Sequence, residues 1–224
     1  MAVFLANVGV NAGHAARSPL FADRTFALLP IPERHSWRRP MLRFKDLDRP
    51  LHIHAPRSWR DRAIHLDPDL LAAQPAPTYG DNCRHAGRAF SLRRARPGDL
   101  IAFLARLHGA RPGFYLVGRL EIADVLEDVT RDPGTGWWDG NAHVRRARAL
   151  GHWDSFWVFR GSVNSGMFER AVPFARLETE TLFGRDNVRW PVHRTELQTI
   201  GSYTRAVRRI EGDGEAWLRT ICRS

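Results

Sequence analysis

The side chains best suited to chemistry lie in one glycine-rich stretch, GTGWWDGNAHVRR, which ends at Arg146. Two adjacent indoles could stack on an extruded nucleobase, an amide and an imidazole could hydrogen-bond its edge, and two guanidinium groups could hold flanking phosphates. The candidate residues are Trp137, Trp138, Asn141, His143, Arg145 and Arg146. The alternative is that the two Trp belong to the core, since large aromatic side chains are mostly buried and the chain has 8 Trp.

A second candidate is the short motif YGDN, from Tyr79 to Asn82. Gly80 lets the backbone bend sharply, which would direct the side chains of Asp81 and Asn82 into one place. Such residues also form ordinary Asx-turns, and Asn82 could simply cap a helix. If the protein is an enzyme, Asp81 and His143 are its acid/base candidates.

Two further motifs could bind phosphate. Near the N-terminus, NVGVN and the RSP that follows it combine amides, glycine and an arginine, which fits either a phosphate cradle or a glycine-permitted turn. Near the C-terminus, SYTRA fits either a helix cap or a phosphate clamp. The candidate contacts are Asn7, Asn11, Arg17, Ser18, Ser202, Tyr203 and Arg205.

The sequence contains no recognisable metal or cofactor motif. His52 and His54 would share one face of a short strand, but no nearby carboxylate or thiol completes a ligand set. Cys83 and Cys222 lie too far apart in sequence for a zinc knuckle. We therefore expect no metal ion and no cofactor, and whether the protein is an enzyme stays open.

The elements that must position these residues are mainly strands. Leu100–Leu107 is a short apolar run entered through Pro-Gly-Asp, and a Gly/Pro loop joins it to a second run, Phe114–Val125. We predict that they pair as an antiparallel hairpin. Val3–Val10 is apolar on both faces and predicts a buried strand, whereas Asp67–Ala73 predicts helical turns capped by Asp67.

Composition indicates one domain with an anionic partner. The 224 residues contain no long linker, so we treat residues 1–224 as a single domain. There are 34 basic against 24 acidic residues, a formal charge of +10, and Lys45 is the one basic residue that is not Arg. Nucleic acid is the commonest partner of such a chain, although a GC-rich genome would also favour Arg codons.

The location expected from the sequence is the cytoplasm. Two cysteines without a secretion signal indicate reduced thiols, and the apolar N-terminal segment lacks a basic region and contains two Asn. No segment reaches the roughly 18 apolar residues of a membrane span, so we expect no membrane partner.

Two resemblances complete the prediction. The hairpin resembles the strand pattern of PUA-like domains, the group that includes EVE, YTH and ASCH domains. That resemblance implies a mixed α+β fold with a curved, barrel-like (PUA-like) sheet and flanking helices.

The chain as a whole resembles the nucleotide modification associated domain 3 family. The matching pieces run in order from Val3 to about Ile210; they are NVGVN, RSP, IPE, YGDN, PGDLIAF, GFYLVG, NAHVRR, FERAVPF and SYTRA. Because SYTRA is one of these pieces, the resemblance favours a phosphate clamp over a helix cap there. The segment Arg34–Leu66 fits no pattern of the family. The resemblance implies association with DNA-base modification systems of phages and bacteria. Its expected partners are nucleic acid, DNA rather than RNA, and proteins of a modification or restriction system.

Two functions of different classes follow. The first is a module that recognises a modified or extruded base through an aromatic and polar pocket with an Arg-rich rim. The second is an enzyme that modifies or hydrolyses a nucleobase or nucleotide. We favour the first, because the sequence has no metal set, nucleophile motif or phosphate loop. A third possibility is an interaction domain whose charge is incidental.

Overall fold

The computed structural model describes residues 1–10, 13–33, 42–47, 51–70, 76–84 and 87–223. Its ten strands, in chain order, are β1 Val3–Asn7, β2 Ser18–Leu20, β3 Ile31–Pro32, β4 Ile64–His65, β5 Thr78–Asp81, β6 Leu100–Gly109, β7 Gly113–Val129, β8 Phe156–Gly161, β9 Gly166–Phe174 and β10 Arg208–Ile210. Its four α-helices are α1 Ala142–Leu150, α2 Arg176–Phe183, α3 Glu196–Tyr203 and α4 Gly212–Arg223. Short 3₁₀ turns make up the remaining helical structure of these residues.

One mixed sheet of eight strands organises the molecule, in the order β10-β1-β6-β7-β8-β5. Strand β2 also pairs with β6, and β9 also pairs with β7. The predicted hairpin is confirmed: β6 pairs antiparallel with β7, from Leu100 opposite Glu121 to Leu107 opposite Gly113. The first strand is confirmed as well, but it ends at Asn7 and runs parallel to β6.

The α+β class is confirmed, whereas barrel closure is not. Among the described strands, β10 and β5 lie at opposite ends of the sheet and do not pair with each other. The long strand β7 serves two parts of the sheet: its first half pairs with β6 and β9, and its second half pairs with β8. The register of β7 is irregular within its pairings with β8 and β9, and such bulges bend a strand without necessarily closing the sheet.

Apolar side chains cover both faces of the central strands. In β1, Phe4 belongs to one core, whereas Val3 and Leu5 belong to the other. In β6, Phe103 packs in the same core as Phe4, and Leu104 packs in the same core as Val3 and Leu5. Because successive side chains of a strand point to opposite faces, this division requires the continuous apolar run seen in the sequence. Among the described residues no helix is long and apolar enough to cross a membrane.

Two local predictions were wrong. The described part of the predicted helix, Asp67–Leu70, is not helical, because Asp69 exchanges two backbone hydrogen bonds of 2.9 Å with Thr78 of β5. Leu51–His54 forms a 3₁₀ turn instead of a strand. At Asp67–Leu70, pairing with the distant strand β5 replaced the local helical preference. The Asp67 side chain therefore does not cap a helix and instead accepts from the Gly80 N–H of β5.

Candidate functional site

A cavity of about 730 Å³ opens where five parts of the chain meet. They are the end of β1, the β3–β4 pair, β5, the beginning of α1 and one face of α3, with one residue each from β6 and β7. Its polar and charged lining residues are Asn7, His14, Glu33, His65, Asp67, Tyr79, Asp81, Asn82, Arg106, His143, Arg146, Gln198 and Arg205. The volume lies in the range of small-molecule sites, roughly 300–1,000 Å³.

At the floor of the cavity, two histidines and two carboxylates form a connected cluster. The Nε2 atoms of His65 and His143 lie 3.3 Å apart, and their rings meet edge to face. The Oδ2 atom of Asp67 lies 3.1 Å from His143 Nε2 and 3.8 Å from His65 Nε2. Glu33 Oε1 lies 3.2 Å from the other ring nitrogen of His65, Nδ1. We call these four residues the His–carboxylate cluster.

The small β3–β4 sheet places Glu33 beside His65. Ile31 pairs with His65 across this sheet, and just beyond β3 the Glu33 N–H donates to the carbonyl of Ala63 at 2.9 Å. The Glu33 side chain is therefore held against the ring of a residue 32 positions later. Its other carboxylate oxygen lies 4.0 Å from Arg146 Nε.

Strand β5 holds Asp67 in place. The Gly80 N–H donates to both oxygens of the Asp67 carboxylate, at 2.9 and 3.1 Å. A Cβ atom at position 80 would lie 2.6 Å from His143 Cδ2 and 3.0 Å from Asn141 Oδ1. Only glycine at this position therefore allows α1 to approach β5 so closely.

Asn141 positions His143 by capping α1. Its side-chain oxygen accepts from the His143 N–H at 2.9 Å, which satisfies one of the free donors of the first helical turn. Its amide nitrogen donates to Thr78 Oγ1 at 3.2 Å and ties the helix to β5. His143 and Arg146 are three residues apart on α1 and thus lie on the same face, toward the cavity.

The environment shifts the pKa values of Asp67 and Glu33 in opposite directions. Burial raises the pKa of Asp67 well above its ordinary value, although the nearby His65 and the Gly80 N–H favour the ionised form. Burial also opposes ionisation of Glu33, but its hydrogen bond to His65, with the charges of His65, Arg146 and His143, lowers its pKa overall. Glu33 is thus an acceptor at neutral pH, and the hydrogen between the two groups belongs to His65 Nδ1.

Arg106 and Arg146, which both line the cavity, each have a buried guanidinium nitrogen whose hydrogen-bonding potential is unsatisfied. The Nε atoms of Arg106 and Arg146 are buried and have no hydrogen-bond acceptor among the described residues. A buried donor without a partner costs on the order of 1–3 kcal/mol.

The structure gathers about half of the residues predicted from the sequence. Those that line the cavity are Asn7, Tyr79, Asp81, Asn82, His143, Arg146 and Arg205. Asn11 lies outside the described residues. The acid/base candidates Asp81 and His143 share the cavity, but the carboxylate in ion-pair contact with His143 is that of Asp67. Asp81 accepts instead from the Tyr79 hydroxyl, at 2.8 Å.

The remaining predicted residues are not among those that line the cavity. Arg17 donates to the backbone carbonyls of His14 and Ala16, and the buried Ser18 hydroxyl accepts from the Leu29 N–H at 3.1 Å. Arg17 thus stabilises the turn after β1, and Ser18 ties β2 to the segment before β3.

At the C-terminal motif, Ser202 donates to the Thr199 carbonyl within α3. The Tyr203 hydroxyl bonds the backbone of Asn187 and Arg189. Arg145 is exposed on α1.

Trp137 and Trp138 lie in a 3₁₀ turn just before α1. Both are half-buried and pack on a cluster that includes Val144 and Phe156. The Phe156 ring in turn lies 5.4 Å from the His143 ring, so the two Trp support the site from outside. Stacking of either Trp on a base stays a prediction.

Three residues of the His–carboxylate cluster and Arg106 were not among the predicted site residues. Glu33 lies in the family-like motif IPE, but His65 and Asp67 carry no local pattern that marks them. Arg106 does carry a signal, because it is a charged residue inside the otherwise apolar run of β6.

Comparisons with known proteins give one match. A family model described as nucleotide modification associated domain 3 matches residues 2–219 of the chain. No curated protein and no solved structure matches it.

Proposed function

Because the chain belongs to the nucleotide modification associated domain 3 family, we propose that it binds nucleic acid, DNA rather than RNA, and holds one extruded nucleotide in the cavity. The observation that supports this most is that Asn82, His143, Arg146 and Arg205, from three distant segments, line one cavity of nucleotide-compatible size.

The cavity offers each kind of contact that a nucleotide needs. Amide and imidazole groups of Asn82 and His143 can hydrogen-bond a base edge, and the ring of Phe114 offers an apolar surface. The guanidinium groups of Arg106 and Arg146, which both line the cavity, suit a phosphate or a carbonyl oxygen. Arg205 is exposed at the edge, where a flanking phosphate would lie. The formal charge of +10 would attract the polyanion.

A salt titration of DNA binding tests the proposal. We expect log affinity to fall linearly with log salt concentration, with a slope of about −0.9 for each duplex phosphate contacted. A duplex with one mismatched pair should bind more tightly than a fully paired one, because extruding an unpaired base costs less. Fluorescence anisotropy with labelled 20-mers measures both effects. Affinity that does not change with salt would contradict nucleic-acid binding.

Substitution of two exposed arginines, one at the cavity and one away from it, tests whether DNA binds at the cavity. Arg205→Ala should weaken binding and reduce the salt slope by about 0.9, the contribution of one duplex phosphate. Arg185→Ala is the control, since its side chain is 86% exposed and does not line the cavity. Equal effects of the two substitutions would mean that charge alone, and not this cavity, drives binding.

The two Trp outside the cavity give a separate prediction. Stacking is worth roughly 1–3 kcal/mol per base, so Trp137→Ala or Trp138→Ala should weaken DNA binding about tenfold or more if that residue stacks. Trp190→Ala is the control, because Trp190 is also half-buried and also carries an arginine over its ring. A folded variant with normal binding, checked by thermal unfolding, would leave the Trp pair with a packing role alone.

A second function is favoured by the His–carboxylate cluster. Burial raises the pKa of Asp67 while the contact with His65 lowers that of Glu33, so these are two carboxyl groups whose pKa values are shifted apart and which are linked through two imidazoles. Such pairs are typical of acid/base catalysis. We propose, as the alternative, modification or hydrolysis of a nucleobase or nucleotide with His143 as the group that exchanges protons with the substrate.

A further inference from the structure

The His–carboxylate cluster has a feature that nucleotide binding does not require. Three of its ligand atoms, the Nε2 atoms of His65 and His143 and one carboxylate oxygen of Asp67, lie within 4.8 Å of one another. All three residues line the cavity. We propose that His65, Asp67 and His143 bind one divalent first-row transition metal ion, of the Zn²⁺ or Fe²⁺ class.

The distances between the ligand atoms fit one ion. Zn²⁺ lies about 2.0–2.1 Å from nitrogen and oxygen ligands, so two corners of its tetrahedron are about 3.3 Å apart. The three observed separations are 3.3 Å between the two Nε2 atoms, 3.1 Å from Asp67 Oδ2 to His143 and 3.8 Å from Asp67 Oδ2 to His65. A small movement of the His65 ring toward Asp67 would shorten the longest of these separations to the length of the other two.

The geometry around His65 also favours a cation. Its Nδ1 atom lies against the Glu33 carboxylate, so its Nε2 atom is the ring nitrogen that faces the cluster. That Nε2 atom lies close to the Nε2 atom of His143 and to a carboxylate oxygen of Asp67. Two imidazole nitrogens and a carboxylate oxygen therefore converge on one point, as the ligands of a metal ion do.

The surroundings resemble the outer shell of known metal sites. A metal-binding imidazole usually donates its other N–H to a carboxylate or carbonyl, which fixes the ring, and Glu33 has this role for His65. The Asp67 carboxylate is similarly oriented by the Gly80 N–H. Two His and one carboxylate select transition metals over Mg²⁺, which prefers oxygen ligands.

Three protein ligands in an open cavity leave coordination positions free, as in catalytic rather than structural sites. The site goes beyond nucleotide binding, because it needs only the protein and the ion. If a nucleotide occupies the cavity as proposed above, the free positions of the metal would face it.

Metal titration of the full chain tests the proposal. After treatment with a chelator and dialysis, Zn²⁺ should bind at about one ion per chain by calorimetry, and Mg²⁺ at the same concentrations should not. Co²⁺ should give visible bands of a nitrogen and oxygen site without the charge-transfer band of a thiolate. A stoichiometry far below one, or a thiolate band that implicates Cys83 or Cys222, would overturn it.

Substitutions assign the ligands. His65→Ala and His143→Ala should weaken Zn²⁺ binding at least a hundredfold. His152→Ala is the matched control, because His152 contacts Asp154 at 2.9 Å in an exposed His–Asp pair of the same composition. Unchanged affinity in both cluster variants, or loss of binding in the control, would overturn the assignment.

A third variant keeps the test decisive if the alanine variants unfold. Glu33→Gln retains an acceptor for His65 Nδ1 and touches no metal, and it should weaken Zn²⁺ binding 10–100-fold. Zn²⁺ affinity equal to that of the wild type would contradict the proposed outer shell. Because Zn²⁺ is titrated without DNA, and DNA can be titrated in chelator, failure of one proposal is distinguishable from failure of the other.

Discussion

Gly80→Ala is expected to abolish most ligand binding in the cavity while leaving the protein folded. The added Cβ would lie 2.6 Å from the His143 ring and 3.0 Å from the Asn141 side chain, so one of them must move. Moving Asn141 removes the cap of α1, and moving His143 breaks its contact with Asp67. We expect DNA and Zn²⁺ affinities to fall at least tenfold and the free energy of unfolding to fall by about 1–3 kcal/mol.

The control is Gly166→Ala, which adds the same methyl group to another strand. A Cβ atom at Gly166 would have no neighbour within 4 Å. This variant should bind both ligands normally, which anisotropy and calorimetry can measure in parallel with Gly80→Ala.

A double variant identifies the clash itself. In Gly80→Ala/His143→Ala the ring that causes the closest contact is absent, so most of the lost stability should return while binding stays impaired. Chemical unfolding of the four proteins of this cycle gives the coupling energy. Additive losses would mean that the methyl group acts elsewhere than on His143.

Asp67→Asn is expected to make the metal-free protein more stable at neutral pH. Burial raises the pKa of Asp67, so the folded protein retains a proton that the unfolded chain releases near pH 4. The stability of the wild type therefore falls as pH rises from about 4 through the folded-state pKa, and it is constant above that value. Asparagine has no such proton and still offers an oxygen to the Gly80 N–H.

The difference in unfolding free energy between Asp67→Asn and the wild type gives the size of this effect. It should grow by about 1.4 kcal/mol for each unit by which the folded pKa exceeds the unfolded one. Glu33 has a lowered pKa and therefore makes the stability change with pH in the opposite direction. Because Glu33, His65 and His143 are present in both proteins, their contributions to the stability difference largely cancel.

Denaturant titrations in chelator from pH 4 to 8 provide the measurement. Asp154→Asn alters the exposed Asp–His pair and serves as the control, since solvent screens that pair. A difference that does not vary with pH would show that Asp67 ionises normally in the folded protein.

The sequence by itself determined the elements whose information is local. The run Leu100–Leu107, the turn residues after it and the alternation from Arg119 onward predicted the hairpin, because apolar periodicity and turn chemistry act over a few residues. The apolar run of β1 was predictable for the same reason. Asn141, in contrast, was expected to contact a base edge, whereas the structure shows that its side chain caps α1.

Only the tertiary structure decided the composition of the site. His65 and His143 are 78 residues apart, and Glu33 is 32 residues from His65, so their proximity depends on strand register and helix docking, which no local pattern encodes. Asp67 has the sequence context of a helix cap, and the Asp69–Thr78 bridge brought it to the cavity floor instead. Its raised pKa follows from burial by segments distant in sequence, which is a property of packing and not of residue type.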